Sequence, residues 1–308
     1  IDIIEKELET ALNSSSHLLN DASLHLLQAG GKRIRPVFVL LSAKFGQYDI
    51  ERVKQIAGAL ELIHMASLVH DDVIDNSDMR RGELTVKAQW NNRVAMYTGD
   101  FIFARALEYV TTIEHPRVHQ ILARTMVEIV NGEVIQIEDK FRLDQNLKDY
   151  FRRIKRKTAL LIESSCELGA IVGGVEPKNV RHLKRYGYFV GMSFQIVDDI
   201  LDFTATDKEL GKPAGSDLLQ GNITLPALLL KDHPQVRPYI DKVIAGTLTE
   251  EERKDMLKII RKSDAIQQAA KLSDKYLQKA LKEVEGLPNH PMKKKLRDIA
   301  LFIGRRKF

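Results

Sequence analysis

The chain has 308 residues, 44% of them hydrophobic and 29% charged, a balance that favours a sizeable core and argues against disorder. Its single cysteine, Cys166, excludes an internal disulfide and suits a reducing cytoplasm. The formal charge of +5 raises nucleic acid as a partner. The basic residues recur over many segments without zinc-finger spacing or an aromatic-basic motif, so that class is set aside.

Residues 1–13 are acidic and amphipathic, unlike the basic-then-apolar order of a signal peptide. No apolar run approaches the roughly 18 residues that cross a bilayer. Apolar residues recur at three- and four-residue spacing in 23–28, 53–69, 118–137 and 150–168, which predicts amphipathic helices. Alternating strand patterns bounded by Asn-Gly or Asp-Gly are absent. Gly30-Gly31, Gly46, Gly82, Pro116, the stretch 173–177, the stretch 211–221 and Leu287-Pro288 punctuate the chain. The segments between them have helix lengths. The expected fold is all-α, ten or more helices in a single domain over residues 1–308, with Cys166 in the core.

One acidic pattern occurs twice. Asp71-Asp72-Val73-Ile74-Asp75 and Asp198-Asp199-Ile200-Leu201-Asp202 each close an apolar helical stretch. Residues four apart share a helix face, so Asp71 lies under Asp75 and Asp198 under Asp202. Like charges at that spacing cost a few tenths of a kcal/mol, and a cation compensates them. Hard carboxylate oxygens suit Mg²⁺, which completes its octahedron with water and phosphate oxygens. No Cys/His spacing points to zinc.

Basic groups flank these motifs. Gly30-Gly31-Lys32-Arg33-Ile34-Arg35-Pro36 reads as a glycine turn feeding a helix N-terminus, a setting that attracts phosphate. Lys32 and Arg35 are expected on one side of it, with Pro36 just inside. Arg80-Arg81 follow the first motif and suit bidentate phosphate contacts. Arg156-Lys157-Thr158 is expected to open an apolar helix, and Gly211-Lys212-Pro213 follows the second motif. The 211–216 loop is not a P-loop, because its lysine comes early and no strand precedes it. ATP is therefore not indicated.

In these motifs, their order and their spacing, the chain resembles the trans-prenyl diphosphate synthases, from about residue 25 to 225 and loosely to the end. Its segments 64–75, 152–162, 218–226 and the tail 304–308 are most similar to the larger catalytic component of two-component hexaprenyl or heptaprenyl synthases. The resemblance implies an isoprenoid synthase fold, helices around a deep central cavity. It also implies extension of an allylic diphosphate, such as farnesyl diphosphate, by successive isopentenyl diphosphates to an all-trans product used for menaquinone side chains. Mg²⁺ is the implied cofactor, and a smaller regulatory subunit or a second copy the implied partner. Membrane contact would be at most a transient surface encounter.

By matching position, Asp71, Asp75, Asp198 and Asp202 would hold Mg²⁺, with Asp72 and Asp199 supporting. Arg80, Lys157, Thr158, Gln195 and Lys212 would contact the allylic diphosphate; Lys32, Arg35, His64 and Arg81 would grip the isopentenyl diphosphate. Many relatives carry a lysine where this chain has Asn222, so no contact is assigned there. Neutralising the leaving pyrophosphate favours an allylic carbocation, and positioning the second substrate supplies much of the rate. The released pyrophosphate is the expected proton acceptor.

Small residues, Ala66 and Ser67, stand about one turn before Asp71, with Ile63, Leu60 and Ile56 further back. The rise from Arg52 to Asp71 is about 28 Å, so this face predicts an apolar channel for a product longer than farnesyl, with Ile63 as its floor. A terpene cyclase would lack Lys32 and Arg35, and a non-catalytic subunit would have degenerate carboxylates; neither pattern is present.

Overall fold

The computed structural model describes residues 1–210 and 212–305. Gly211 of the expected lysine loop and residues 306–308 of the basic tail lie outside the described residues.

In chain order the elements are α1 (Asp2–Ala11), α2 (His17–Gln28), α3 (Ile34–Ala43) and α4 (Ile50–Ile74). A two-residue antiparallel ladder follows, β1 (Met79–Arg80) with β2 (Glu83–Leu84). Next come α5 (Val86–Gln89), α6 (Asn92–Thr111), α7 (Pro116–Glu138) and α8 (Leu147–Ile154). A π-helical turn, Lys155–Ala159, leads into α9 (Leu160–Val172) and α10 (Pro177–Thr204). The short α11 (Asp207–Leu210), α12 (Ser216–Leu219) and α13 (Leu225–Leu230) precede α14 (Arg237–Ala245), α15 (Glu250–Lys262), α16 (Ala265–Glu285) and α17 (Pro291–Gly304). The fold is all-α, as the helical periodicity requires.

Residues 1–126 with 164–184 form one compact unit, and 127–163 with 185–308 another. In the first, the middle of α4 is a core helix, with residues 56–63 buried without a break. Ile56, Leu60, Leu62, Ile63 and Ala66 have no exposed surface, and α3 and α6 pack against this helix. Asp49 caps its start, accepting from the Glu51 backbone N–H. Close approach comes from small residues. A Cβ at Gly169 would sit 2.3 Å from the Val39 carbonyl oxygen, and one at Gly173, a turn on, 2.5 Å from that of Ala43. Any side chain there would push α3 away.

The second unit packs Tyr150, Met192, Ile196, Phe203, Leu225, Ile240, Met256 and Ile260 into one core. Its α15 begins with a capping box, Thr249 with Glu252.

Two expectations are corrected. Residues 150–168 are not one helix, because the π turn inserts a residue between α8 and α9. Lys157 and Thr158 therefore lie in that turn and do not open a helix. Gly191 allows α10 to lie against it, since a Cβ there would be 2.5 Å from the Ala159 Cα. At α3, Arg33 is the N-cap with φ of 47°, so Lys32 precedes the helix and shares no helical face with Arg35.

Candidate active site

In the first unit the carboxylates stand at the carboxyl end of α4. Asp75 is its C-cap, and the Asp75 N–H donates to the Asp71 carbonyl at 2.8 Å. Asp71 and Asp75 are half-buried, whereas Asp72 is buried. Arg80 clamps Asp72: Nε donates to both carboxylate oxygens at 3.0 and 3.1 Å, and Nη2 to Oδ1 at 2.7 Å. Burial pushes the Asp72 carboxyl up, and the guanidinium opposes that shift. Arg80 is thus tied to the motif itself.

The tight hairpin after Arg80 turns through Arg81 (φ 54°) and Gly82 (φ 86°). It lays Arg81 over the glycine turn. A Cβ at Gly31 would come within 2.7 Å of Arg81 Nη1, so a side chain there would displace the guanidinium. Lys87 anchors the preceding loop, donating to Asn76 at 2.7 Å and Asp78 at 2.8 Å.

The cations of the glycine motif have different fates. Arg33 points inward and pairs with Glu5 at 2.6 Å and Glu61 at 3.3 Å, so it holds the fold together. Lys32 is exposed. Arg35 has its Nε buried with no hydrogen-bond partner among the described residues. Burial holds the Arg35 guanidinium down at about 10, with Glu61 opposing and Arg81 adding to the shift. The His64 imidazole is held well below its usual range, first by burial and then by Arg35, Arg81, Arg80 and Arg33. His64, Arg35, Arg80 and Arg81 therefore share one electropositive place. A buried, unpaired guanidinium donor there is costly without an anion.

In the second unit, the motif of α10 is held by a chain of hydrogen bonds. Thr158 Oγ1 donates to Gln195 Oε1 at 2.5 Å, Gln195 Nε2 donates to Asp199 Oδ1 at 2.8 Å, and the Tyr150 hydroxyl donates to Asp199 Oδ2 at 2.7 Å. Burial pushes Asp199 up to about 7, with Tyr150 and Gln195 opposing. Lys157 donates to Gln136 at 2.8 Å. Asp198 is half-buried one turn below Asp202.

Asp202 is 2% exposed. It takes the Lys212 ammonium at 3.0 Å, the Ser216 hydroxyl at 3.2 Å and the Asp217 N–H at 3.4 Å. Lys212 also bonds Asp217 at 2.8 Å. Burial, followed by Asp217, pushes Asp202 up to about 6 against the pull of Lys212. Asn222 contributes its backbone N–H to the Asp217 carbonyl at 2.8 Å.

On the face expected to set chain length, Ile63 and Ala66 are fully buried in the α4 packing. Ser67 is half-buried on the Asp71 side and donates to the His64 carbonyl at 2.8 Å. Sequence reasoning missed Tyr150, Gln136, Ser216 and Asp217. Asp217 closes the Gly215-Ser216-Asp217 run and carried a signal; Tyr150 and Gln136 looked like ordinary helix residues.

The chain belongs to the polyprenyl synthetase family: residues 16–262 match the family described as Polyprenyl synthetase. It is a prenyltransferase that builds long trans-polyprenyl diphosphates. It is similar to heptaprenyl diphosphate synthase component 2 of Geobacillus stearothermophilus, 57% identical over 99% of this chain and 95% of that one. The component 2 of Bacillus subtilis is 54% identical over 100% of this chain and 88% of that one. Among solved structures, heptaprenyl diphosphate synthase from Staphylococcus aureus has a TM-score of 0.91 at 46% identity, covering 100% of this chain and 97% of that one. A Caulobacter crescentus polyprenyl synthase, complexed with calcium and isoprenyl diphosphate, has a TM-score of 0.94 at 31% identity over 99% of this chain and 94% of that one. No helix among the described residues is long and apolar enough to cross a membrane.

Proposed function

We propose that this chain makes heptaprenyl or hexaprenyl diphosphate for menaquinone side chains, in the cytoplasm, with Mg²⁺ as cofactor and residues 1–308 acting as a single catalytic domain. The observation that carries the substrate reading is the buried, unpartnered Arg35 Nε beside His64, Arg80 and Arg81. Lys32, Arg35, His64 and Arg81 then receive isopentenyl diphosphate, whereas Arg80, Lys157, Thr158, Gln195 and Lys212 address the allylic diphosphate.

The donor set fits Mg²⁺. Among the described residues no three His, Cys, Asp or Glu side chains gather as a ligand group, and Mg²⁺ asks for only one or two carboxylates when phosphate oxygens and water complete its shell. Asp71 with Asp75, and Asp198 with Asp202, would hold it. Bound there, the ion would neutralise charge on a leaving pyrophosphate. Asp72 fixes Arg80 in place, and Asp199 fixes Gln195, so each central aspartate orients a diphosphate contact. Lys212 stands between Asp202 and Asp217 and is the cation that trades between carboxylate and phosphate.

A smaller component or a second copy is the partner. Val127, Val130, Val134, Ile137 and Phe141 stand exposed on α7 and the turn after it. Their alternating three- and four-residue spacing makes the seam that a partner helix covers. The resemblance to proteins named component 2 supports the same reading.

The test incubates purified protein with farnesyl diphosphate, labelled isopentenyl diphosphate and Mg²⁺, with and without a candidate small component, and sizes the products. Six- or seven-unit chains are expected from the complete system. Asp71→Ala and Asp198→Ala should each lower turnover by orders of magnitude with helicity kept; wild-type turnover in either variant would defeat the assignment.

A further inference from the structure

The positive surplus of this protein is not spread evenly. Residues 265–308 contain 11 Lys and Arg against 4 Asp and Glu, a balance of +7, whereas the whole chain stands at +5, leaving −2 for residues 1–264. Basic residues recur along the chain, but the excess belongs to α16, α17 and the tail.

On α16 the exposed lysines are Lys271, Lys275, Lys279 and Lys282. At 3.6 residues per turn they fall within an arc of about 80°. The buried Ala269, Ser273, Leu277 and Ala280 occupy the opposite face. Arg185 of α10 joins this stripe, because it and Lys279 cover the same Phe189 ring at 6.0 and 5.7 Å. Glu283 pairs with Arg185 at 3.1 Å, and Asp274 lies at the edge of the arc. α17 packs against α16: a Cβ at Gly304 would be 2.7 Å from Leu277 Cδ2. Its outward face carries Lys294, Lys295, Arg297 and Arg305, with Asp298 as its acid. In the same arc Phe302 stands 66% exposed.

We propose that the α16–α17 hairpin is a docking surface for an anionic lipid bilayer. Lysines ranged along one helix face meet lipid phosphates, and a lone exposed phenylalanine among cations enters the headgroup boundary. Nucleic acid fits less well, since sequence-tolerant binding to single strands uses several stacking aromatics. The proposal rests on the long-chain product reading for its purpose: a long polyprenyl chain leaves water readily for a membrane, and an enzyme docked there releases it where it partitions.

The experiment co-sediments the full chain with vesicles of phosphatidylcholine alone or enriched in phosphatidylglycerol. Binding is expected only to the anionic vesicles and is lost at high salt. Each lysine removed should weaken it roughly fivefold, so Lys271→Gln with Lys275→Gln should weaken it about 25-fold, with the circular dichroism spectrum unchanged. Phe302→Ser should weaken the binding that survives at moderate salt. No binding to anionic vesicles at low salt, equal binding by the double variant, or stripping from vesicles by competing RNA at matched phosphate would each overturn the proposal. The assay needs no substrate, so binding by a protein that yields only short products would uphold the surface and remove the long-chain reading separately.

Discussion

Tyr150 donates its hydroxyl to Asp199 across 2.7 Å in a place where neither side chain reaches solvent. The phenol supports a buried carboxylate beside Asp198, the residue proposed to meet the metal. Gln195 holds the other carboxylate oxygen and is itself held by Thr158. The second acidic motif is thereby set by residues from α8, the π turn and α10.

Tyr150→Phe keeps the packing volume and removes one donor. Above about pH 8, where Asp199 is ionised, a buried hydrogen bond to a charged group contributes about 1.5–3 kcal/mol, so urea unfolding there should report a loss of that size. The variant should fold, because the ring remains in the core with Met192 and Ile196. Unfolding indistinguishable from wild type would mean that Gln195 alone satisfies Asp199.

His64 gives the pH prediction. Burial and four arginines hold its pKa well below the ordinary value of 6.5. The folded protein thus keeps the ring neutral, while the unfolded chain takes up a proton as pH falls through about 6.5. The stability from this site is present above that pH and is lost on acidification, at up to about 1.4 kcal/mol per pH unit. Wild type should therefore lose more stability than His64→Gln between neutral and mildly acidic pH in the ligand-free state. Parallel pH curves for the two proteins would show that the ring is not held neutral.

Ser67 tests the expected product channel. It stands half-buried one turn before Asp71, with the fully buried Ile63 a further turn back. Ser67→Phe should place an aromatic ring across the path of the growing chain and shift products to shorter lengths, read by sizing the dephosphorylated prenols. An unchanged length distribution would leave Ala66 and Ser67 with a role in helix packing alone.

Much of this protein is legible without coordinates because its information is local. Helical periodicity alone gives the all-α class, since an apolar stripe every three to four residues has only one way to be buried. Both Asp-rich motifs announce themselves through four-residue spacing, a relation internal to one helix. The family resemblance then assigns Lys32, Arg35, His64 and Arg81 to one substrate and Arg80 to the other, and the shared field around His64 gathers Arg35, Arg80 and Arg81.

Tertiary structure alone decided which of these groups are committed to one another. Arg33 and Arg35 read alike as cations two residues apart, yet Arg33 is consumed by Glu5 and Glu61 while the Arg35 Nε has no partner among the described residues. Asp72 and Asp199 sit inside identical motifs, yet one is clamped by an arginine from a hairpin and the other by a tyrosine from α8. The π turn at Lys157 and Thr158 left no mark in the periodicity. The physical reason is common to all three. A sequence specifies spacing along one element, whereas ion pairs, burial and shifted protonation depend on partners 28 or 49 residues away, as for Arg33 with Glu61 and Tyr150 with Asp199, and only the folded chain brings those partners into contact.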